Sequence, residues 1–586
     1  MNILLSLLAA VRVAAAASRC HVAAAAGTTD SCKCFPGDNC WPAPAEWDKL
    51  NSTVGGRLVQ TVPLGAPCHG PDHNAEICEN LQRQWQFEEV HMSSSSSVMA
   101  PFFANQSCDP FQAKSRPCEL GNYVRYAVNA TGADDIKAAV AFAKEKNIRF
   151  VVRNTGHDYL GRSTGAGALA VWTHYLKDIQ FLDSNDQGYQ GKAVKLGAGV
   201  QGFDILEAGR DNGLVVVGGE CPTVGIAGGY TQGGGHSALS TEFGLAADNV
   251  LSWEIVTANG TFLKASRTEN PDLFWALNGG GGGTFGVVFS MTIKAFPDAK
   301  IGGATLSFYT KNNPEENFYD GIQAFHEALP AMVDAGAMVV YYFTDSFFQI
   351  SPLNAYNKTK DEVETILQPF VSELDTLDIK YTVEYSQFDS YYDHYDHYFG
   401  PLPFGNIQVG IAQYGARLIP RAVAAKISTM WRSVVEQGVT WIGVGTDVSS
   451  FGTNETTSVH PAWRDALVHT TFTLPWNFTA PWEEMVALQD KMTKKIMPEA
   501  EAATVGSGSY ANEGDWRQPN FQDTYWGSNY QRLLAIKKRF DPTNFFYVTV
   551  GVGSEAWKVS EDGRLCPSAG SQPGVVERPD LFRAEL

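Results

Sequence analysis

Past residue 26 the 586-residue chain has no apolar run near the roughly 18 residues that cross a bilayer, so no membrane span is expected in the mature protein. Positive charge is also short. Forty-four Lys and Arg against 63 Asp and Glu leave a net charge of -19, which repels nucleic acid phosphates and anionic lipid. Neither nucleic acid nor a membrane surface is therefore an expected partner. The five glycines Gly279 to Gly283 run into Thr284-Phe285-Gly286 instead of Gly-Lys-Ser/Thr, which removes support for ATP hydrolysis. No internal repeat is present. Hydrophobic residues at 44% and aromatics at 12% exclude a disordered chain, and the length is that of two to four domains at about 150 residues each. Glycine, 56 residues, runs above the usual ~7% and implies many tight backbone turns.

Cysteine is concentrated. Eight of ten lie between Cys20 and Cys118, leaving Cys221 and Cys566 beyond. Residues 1–26 read as an export signal, with an apolar stretch from Ile3 to Ala17 and small residues at Ala24 and Ala26. Cleavage after Ala26 would remove Cys20; eight of the remaining nine cysteines then form four disulfides if one, the isolated Cys221, is used otherwise. The alternative for Cys32, Cys34 and Cys40 is zinc, although their C-x-C-x5-C spacing lacks paired C-x2-C knuckles. Sequons at Asn51, Asn105, Asn129, Asn259, Asn357, Asn454 and Asn477 fit a glycoprotein on a secretory route, and a secreted, extracellular location is expected.

Five segments are expected: a signal peptide at 1–26, a disulfide-rich part at 27–120, a core at 121–298, a separate α+β domain at 299–506, and a C-terminal segment at 507–586. The serine run Ser93 to Ser97 reads as a flexible loop. Strand Tyr123 to Val128, a helix from about Asp134 and strand Phe150 to Val152 form one predicted β-α-β unit. Strand Ala193 to Leu196, helix Phe203 to Ala208 and strand Leu214 to Val217 form a second.

Three segments carry chemistry. Arg153-Asn154-Thr155-Gly156-His157-Asp158-Tyr159 follows a strand, and such a polar turn can aim backbone N–H groups at a phosphate or ring edge. Gly218-Gly219-Glu220-Cys221-Pro222-Thr223-Val224-Gly225 continues through further glycines to His236 and to Gly244, which implies close backbone approach to a large planar, pyrophosphate-bearing ligand. Asp272 to Asn278 leads into the five-glycine run. A formal dinucleotide fingerprint, Gly197-x-Gly199-x-x-Gly202 with Glu220 about twenty residues on, would suggest NAD if it stood alone. The Cys221-Pro222 that follows directly argues against it.

In this order the motifs RNTGHDYLGRS, GGECPTVGIAGGYTQGGGHS, GLAADNV, DLFWALNGGGGGTFGVV, SYANE and WGSNYQRLLAIKKRFDPTNFF resemble the berberine bridge enzyme-like oxidoreductases of the vanillyl-alcohol oxidase and para-cresol methylhydroxylase superfamily. The resemblance covers about 121 to 300 and 507 to 547. It implies an α+β, two-lobed fold: a discontinuous FAD-binding domain of the para-cresol methylhydroxylase type and an α+β substrate domain with a large antiparallel sheet. It also implies bicovalent FAD, joined through its 8α-methyl carbon to His157 and through ring carbon C6 to Cys221. Neutral imidazole and thiolate are both competent nucleophiles toward an electron-poor ring. Asn154, Thr155, Gly156, Asp158, Ser163, Thr223, Val224, Gly225, Gly229 and Val250 match positions around the cofactor.

The resemblance further implies hydride transfer from a substrate C–H to flavin N5. Val224 matches the position that controls oxygen access, where valine accompanies oxidases; the alternative is simple packing. Tyr510 matches a base found in several relatives, which requires its phenol, ordinarily near pKa ~10, to be lowered by a cation or the flavin; a structural tyrosine is the alternative. The expected function is a monomeric, secreted oxidase that takes a hydride from an alcohol-bearing carbohydrate or phenolic substrate and passes electrons to O₂, giving H₂O₂. Oxidative C–C or C–N bond formation in secondary metabolism, a slow dehydrogenase, and a flavin-containing binding protein with vestigial turnover are the alternatives. No metal site is expected. His394 and His397 in Tyr391 to Tyr398 lack a third ligand, so that stretch reads as a polar-aromatic loop near the cleft, and Arg464 reads as a salt-bridge residue.

Overall fold

A computed structural model describes residues 32–568, apart from 187 and 454. The expected export signal, Cys20 and Asn454 lie outside the described residues.

The first predicted unit forms because its helix has apolar residues at helical spacing. Helix Ala133–Glu145 buries Ile136, Ala139, Val140 and Ala143 on one stripe, and Asp134 and Asp135 occupy its first turn, where acidic groups favour the helix dipole. Burying Ile136 and Val140 contributes about 1.5–3 kcal/mol each. Asp135 accepts hydrogen bonds from the Thr131 backbone N–H at 2.9 Å and hydroxyl at 3.0 Å, and pairs with Arg57 at 2.6 Å. The helix covers a four-stranded sheet in which Tyr126–Asn129 and Phe150–Arg153 both run parallel to Leu169–Trp172 between them.

The second predicted unit is corrected. Strand Tyr189–Gly197 is paired antiparallel on both sides, with Ile179–Asp186 and with Val287–Lys294, inside a five-stranded sheet. It has no free edge for a parallel partner. After helix Gly202–Asn212, strand Leu214–Val215 pairs instead with Phe296–Pro297. The apparent dinucleotide fingerprint is explained by packing. A Cβ on Gly197 would lie 2.3 Å from the Leu176 carbonyl oxygen, and one on Gly199 would lie 2.1 Å from that of His174. These glycines admit neighbouring backbone, not a pyrophosphate.

The second lobe is built on a seven-stranded antiparallel sheet spanning Ile301 to Pro475, with helices on one face. Helix Glu315–Asp334 presents Phe318, Ile322, Phe325 and Leu329 to it, and helix Lys360–Thr376 presents Val363, Leu367, Phe370 and Leu374. Period-two alternation sorts the strands: Val339, Tyr341, Phe343 and Trp441 enter this core, while Val340, Tyr342, Ile442 and Val444 face the other way, into a cavity. The C-terminal segment then returns to the first lobe, where Trp526, Leu533, Phe545 and Phe546 share a core with Ile136 and Phe150.

The disulfides are Cys32–Cys566, Cys34–Cys40, Cys68–Cys78 and Cys108–Cys118, and Cys221 is the free cysteine among the described residues. The expected count of four agrees, and the zinc alternative falls because Cys32, Cys34 and Cys40 are bridged. Two further corrections follow. Ser95, Ser96 and Ser97 are buried, with Ser97 held by the His91 ring at 2.7 Å and by Arg153 at its carbonyl, 2.6 Å, so the serine run is an anchored turn and not a loose loop. Tyr391–Phe399 is a helix, N-capped by Ser390, because Tyr391, Tyr395 and Phe399 make an apolar stripe. His394 is buried against Asn354 at 2.7 Å while His397 is exposed, so the two do not converge. No described helix is long and apolar enough to cross a membrane.

Candidate active site

A cavity of about 620 Å³ lies between the lobes, within the range of small-molecule sites. Its first wall is the loop after strand Phe150–Arg153, which brings Asn154, Thr155, Gly156, His157, Asp158 and Ser163 to the lining. Asp158 shapes that loop: its carboxylate accepts the backbone N–H groups of Leu160 at 3.1 Å, Ser163 at 3.0 Å and Arg162. Gly156 sits at φ +90, and a Cβ there would strike the Arg153 guanidinium at 2.6 Å.

The second wall is the glycine-rich segment, with Cys221, Val224, Gly225 and Gly229 at the lining. A Cβ on Gly229 would meet nothing within 4 Å, whereas one on Gly282 would lie 2.8 Å from the Gly229 Cα. Two bare backbone segments therefore abut at the cavity. Thr223 is fully buried behind this wall, its hydroxyl 2.7 Å from His157 Nε2 and 3.3 Å from Cys221 Sγ. Val250 opens strand Val250–Val256 with its side chain in the core, so any cofactor contact it makes is through backbone.

Burial holds the His157 imidazole neutral, down at about 3, with His91 and Arg153 adding to the effect. Burial also pushes the Cys221 thiol up to about 11, against the influence of the Thr223 hydroxyl 3.3 Å away. Both side chains are thus uncharged at neutral pH. A neutral imidazole carries a free lone pair, whereas a thiol becomes strongly nucleophilic only on losing its proton.

The same cavity holds groups that sequence reasoning did not single out. Glu513 accepts from His236 Nε2 at 3.1 Å, His469 Nε2 at 2.8 Å and the Thr471 hydroxyl at 3.1 Å. Burial alone would raise its carboxyl, but His236 and His469 outweigh this and hold it well below the usual carboxylate range. Burial alone would lower His236, yet Glu513 and Glu220 outweigh it and lift the ring, which is imidazolium. The three residues offer metal-ligand atoms within 4.8 Å of one another, and Nε2 of each histidine bonds the carboxylate. Only spacing could have flagged Glu513, three residues after Tyr510; His236 and His469 come from distant segments.

Tyr510 also lines the cavity. Its phenol oxygen accepts from the Gly235 N–H at 3.2 Å and from Asn512 Nδ2 at 2.9 Å. Burial first, then Glu513, moves its phenol above the ordinary value, the opposite of what the base role requires among the described groups. Tyr159 and Tyr414 stack across the two lobes at 3.8 Å. Arg464 pairs with buried Asp248 at 2.7 Å, as a structural salt bridge.

A family profile described as FAD binding domain matches residues 124–266, and one described as berberine and berberine like matches 509–553. The FAD-linked oxidoreductase ZEB1 of Gibberella zeae is 60% identical over 544 residues, covering 93% of this chain and 96% of that protein. The crystal structure of the VAO-type flavoprotein MtVAO615 from Myceliophthora thermophila C1 superposes with a TM-score of 0.89 at 40% identity, covering 92% of this chain and 100% of that one. A glucooligosaccharide oxidase from Acremonium strictum, whose description names a 6-S-cysteinyl, 8α-N1-histidyl FAD, shares the fold at TM-score 0.60 and 21% identity, covering 74% of this chain and 92% of that one. Fold and site define an FAD-dependent flavoprotein enzyme of the VAO type. The chain belongs to the berberine bridge enzyme-like FAD-linked oxidoreductases.

FAD fits the residues present. Gly225, Gly228, Gly229, Gly282 and Gly283 bring bare backbone to the lining, where a flat ligand can approach closely. Asn154 Oδ1, buried in the first wall, has no hydrogen-bond partner among the described residues and can accept from a ring N–H.

Proposed function

We propose that the protein is a secreted oxidase holding FAD through His157 and Cys221 and oxidising an alcohol-bearing carbohydrate or phenolic substrate. The observation that carries this is one cavity lined both by two uncharged nucleophiles and by an ionised, triply hydrogen-bonded carboxylate. Bound there, FAD supplies a hydride acceptor that returns to its oxidised form by giving two electrons to O₂.

The chain's own residues handle the proton. Oxidising R₂CH–OH releases a hydride from carbon and a proton from oxygen. As the hydride leaves, the hydroxyl becomes that of a protonated carbonyl, a strong acid. The acceptor therefore needs to be ionised more than it needs to be strongly basic. Glu513 meets that requirement and Tyr510 does not; in this reading Glu513 takes the proton while the neutral Tyr510 orients the substrate oxygen. Val340, Tyr342, Ile442 and Val444 form an apolar wall that excludes water. Val224, the small residue at the lining, leaves room for O₂. Exposed Asn105, Asn259, Asn357 and Asn477 and four disulfides support an extracellular setting.

Mass analysis of peptides carrying His157 and Cys221 tests the linkage, and a colourless protein without adducts refutes it. A bleaching screen with sugars and phenols in air, with peroxide measured, tests the reaction. Rapid bleaching without peroxide would identify a dehydrogenase.

A further inference from the structure

The Thr223 hydroxyl has one hydrogen and touches both anchors, which forces an order on the protons around it. His157 is neutral and Nε2 is its nitrogen on Thr223, so the bond to the cofactor forms from the opposite nitrogen, Nδ1. For Nδ1 to hold a free lone pair, Nε2 must carry the N–H and donate to Thr223. The Thr223 O–H must then point to a further acceptor. Glu88 supplies one. It is 2% exposed, burial raises its carboxyl while the nearby Thr223 hydroxyl pulls it down, and its Oε1 has no hydrogen-bond partner among the described residues. Thr223 itself is held in place by Gln201, whose Nε2 donates to the Thr223 carbonyl at 2.6 Å.

We infer that Thr223 and Glu88 form a proton relay that serves covalent attachment of the cofactor at both anchors. This rests on the linkage reading above. At each anchor one cofactor C–H and one N–H or S–H are replaced by a C–N or C–S bond. Two electrons are left on the cofactor and pass to O₂, which leaves as H₂O₂. The N–H proton of His157 Nε2 moves to Thr223 Oγ1 as the Thr223 proton moves to Glu88. The thiol proton of Cys221 moves afterwards to Thr223 Oγ1 as the Thr223 proton moves to the vacated lone pair of His157 Nε2. Once His157 is joined, Nε2 is bare and accepts from Thr223, so the hydroxyl turns around and is free to receive from Cys221. The relay thus orders the two bonds, His157 before Cys221. Thr223 and Glu88 are positioning and proton-handling residues of attachment and take no part in substrate turnover.

The test uses the full chain with Thr223→Val, Thr223→Ser and Glu88→Gln, FAD as the probe, and quantitative mass analysis of the two anchor peptides against time in air. The parent and Thr223→Ser, which keeps the hydroxyl, are expected to link both peptides. Thr223→Val and Glu88→Gln are expected to bind FAD in acid-extractable form and to link it about a hundredfold more slowly, the scale of a lost proton-transfer group. Partly linked Glu88→Gln should carry adducts on the His157 peptide ahead of the Cys221 peptide. Parent-rate linkage in Thr223→Val or in Glu88→Gln overturns the relay while leaving the linkage reading intact. A parent chain with no adduct overturns both. Should Thr223→Val fail to fold, Glu88→Gln decides alone, because it replaces one carboxyl oxygen and leaves the threonine in place.

Discussion

Replacing Glu513 by Gln removes one negative charge and keeps the side-chain shape. In the parent this carboxylate receives three hydrogen bonds, two from histidine rings, and it is the largest favourable influence on the charge of His236. The amide cannot take up the substrate proton. Loss of a general base lowers the rate by about 10²–10⁴, equivalent to about 3–5 kcal/mol in the barrier at ~1.36 kcal/mol per decade. Anaerobic stopped-flow bleaching of the flavin, with an alcohol found in the screen, reads this step in isolation. Dissociation constants from the concentration dependence should shift by less than about tenfold, since the base acts in the transition state more than in binding. The same variant has a stability signature. Glu513 is held below its ordinary value, so its contribution is complete above about pH 4.5 and is lost as pH falls through the folded value. His236 is lifted, so its contribution is complete below about pH 6.5 and is lost as pH rises through the folded value. The melting-temperature gap between parent and variant should be widest between about pH 4.5 and 6.5 and shrink on either side. Reduction within twofold of the parent in Glu513→Gln, together with collapse in Tyr510→Phe, would refute the assignment and return the proton to the phenol.

Val224→Leu is expected to leave reduction unchanged and to slow reoxidation in air by at least about tenfold; unchanged reoxidation would reduce Val224 to a packing residue. Gly282→Ala places a methyl 2.8 Å from the Gly229 Cα, so the variant should lose FAD, read as loss of yellow colour in folded protein. Asp541→Asn removes the carboxylate paired at 2.6 Å with Lys537, which is buried, and should destabilise by about 3–5 kcal/mol in denaturant melts.

The glycine-rich walls of the cavity were legible because they are written in contiguous sequence. His157 and Cys221 each sit in a short loop whose glycines serve one local purpose, close approach, and Gly156 cannot be anything else beside Arg153. The helix from Asp134 was legible through its spacing. The second β-α-β unit was not, because local pattern does not say which edges of a strand are taken; Tyr189–Gly197 has neighbours on both sides. The segment from Tyr391 reads as polar, yet its aromatic residues recur at helical spacing, and period outweighs polarity. The carboxylate–histidine cluster was hidden for a different reason. His236, His469 and Glu513 are carried by three distant segments, and only tertiary packing brings them within hydrogen-bond reach.

The clasp between Cys32 and Cys566, with the return of Phe545 and Phe546 to the core laid down by Ile136 and Phe150, makes this architecture a garment fastened last at the hem. A polypeptide still emerging from the ribosome lacks Tyr510 and Glu513 until both lobes have been made. Products that stop short of those two residues consequently lack part of the pocket lining, however well their earlier strands and helices are formed.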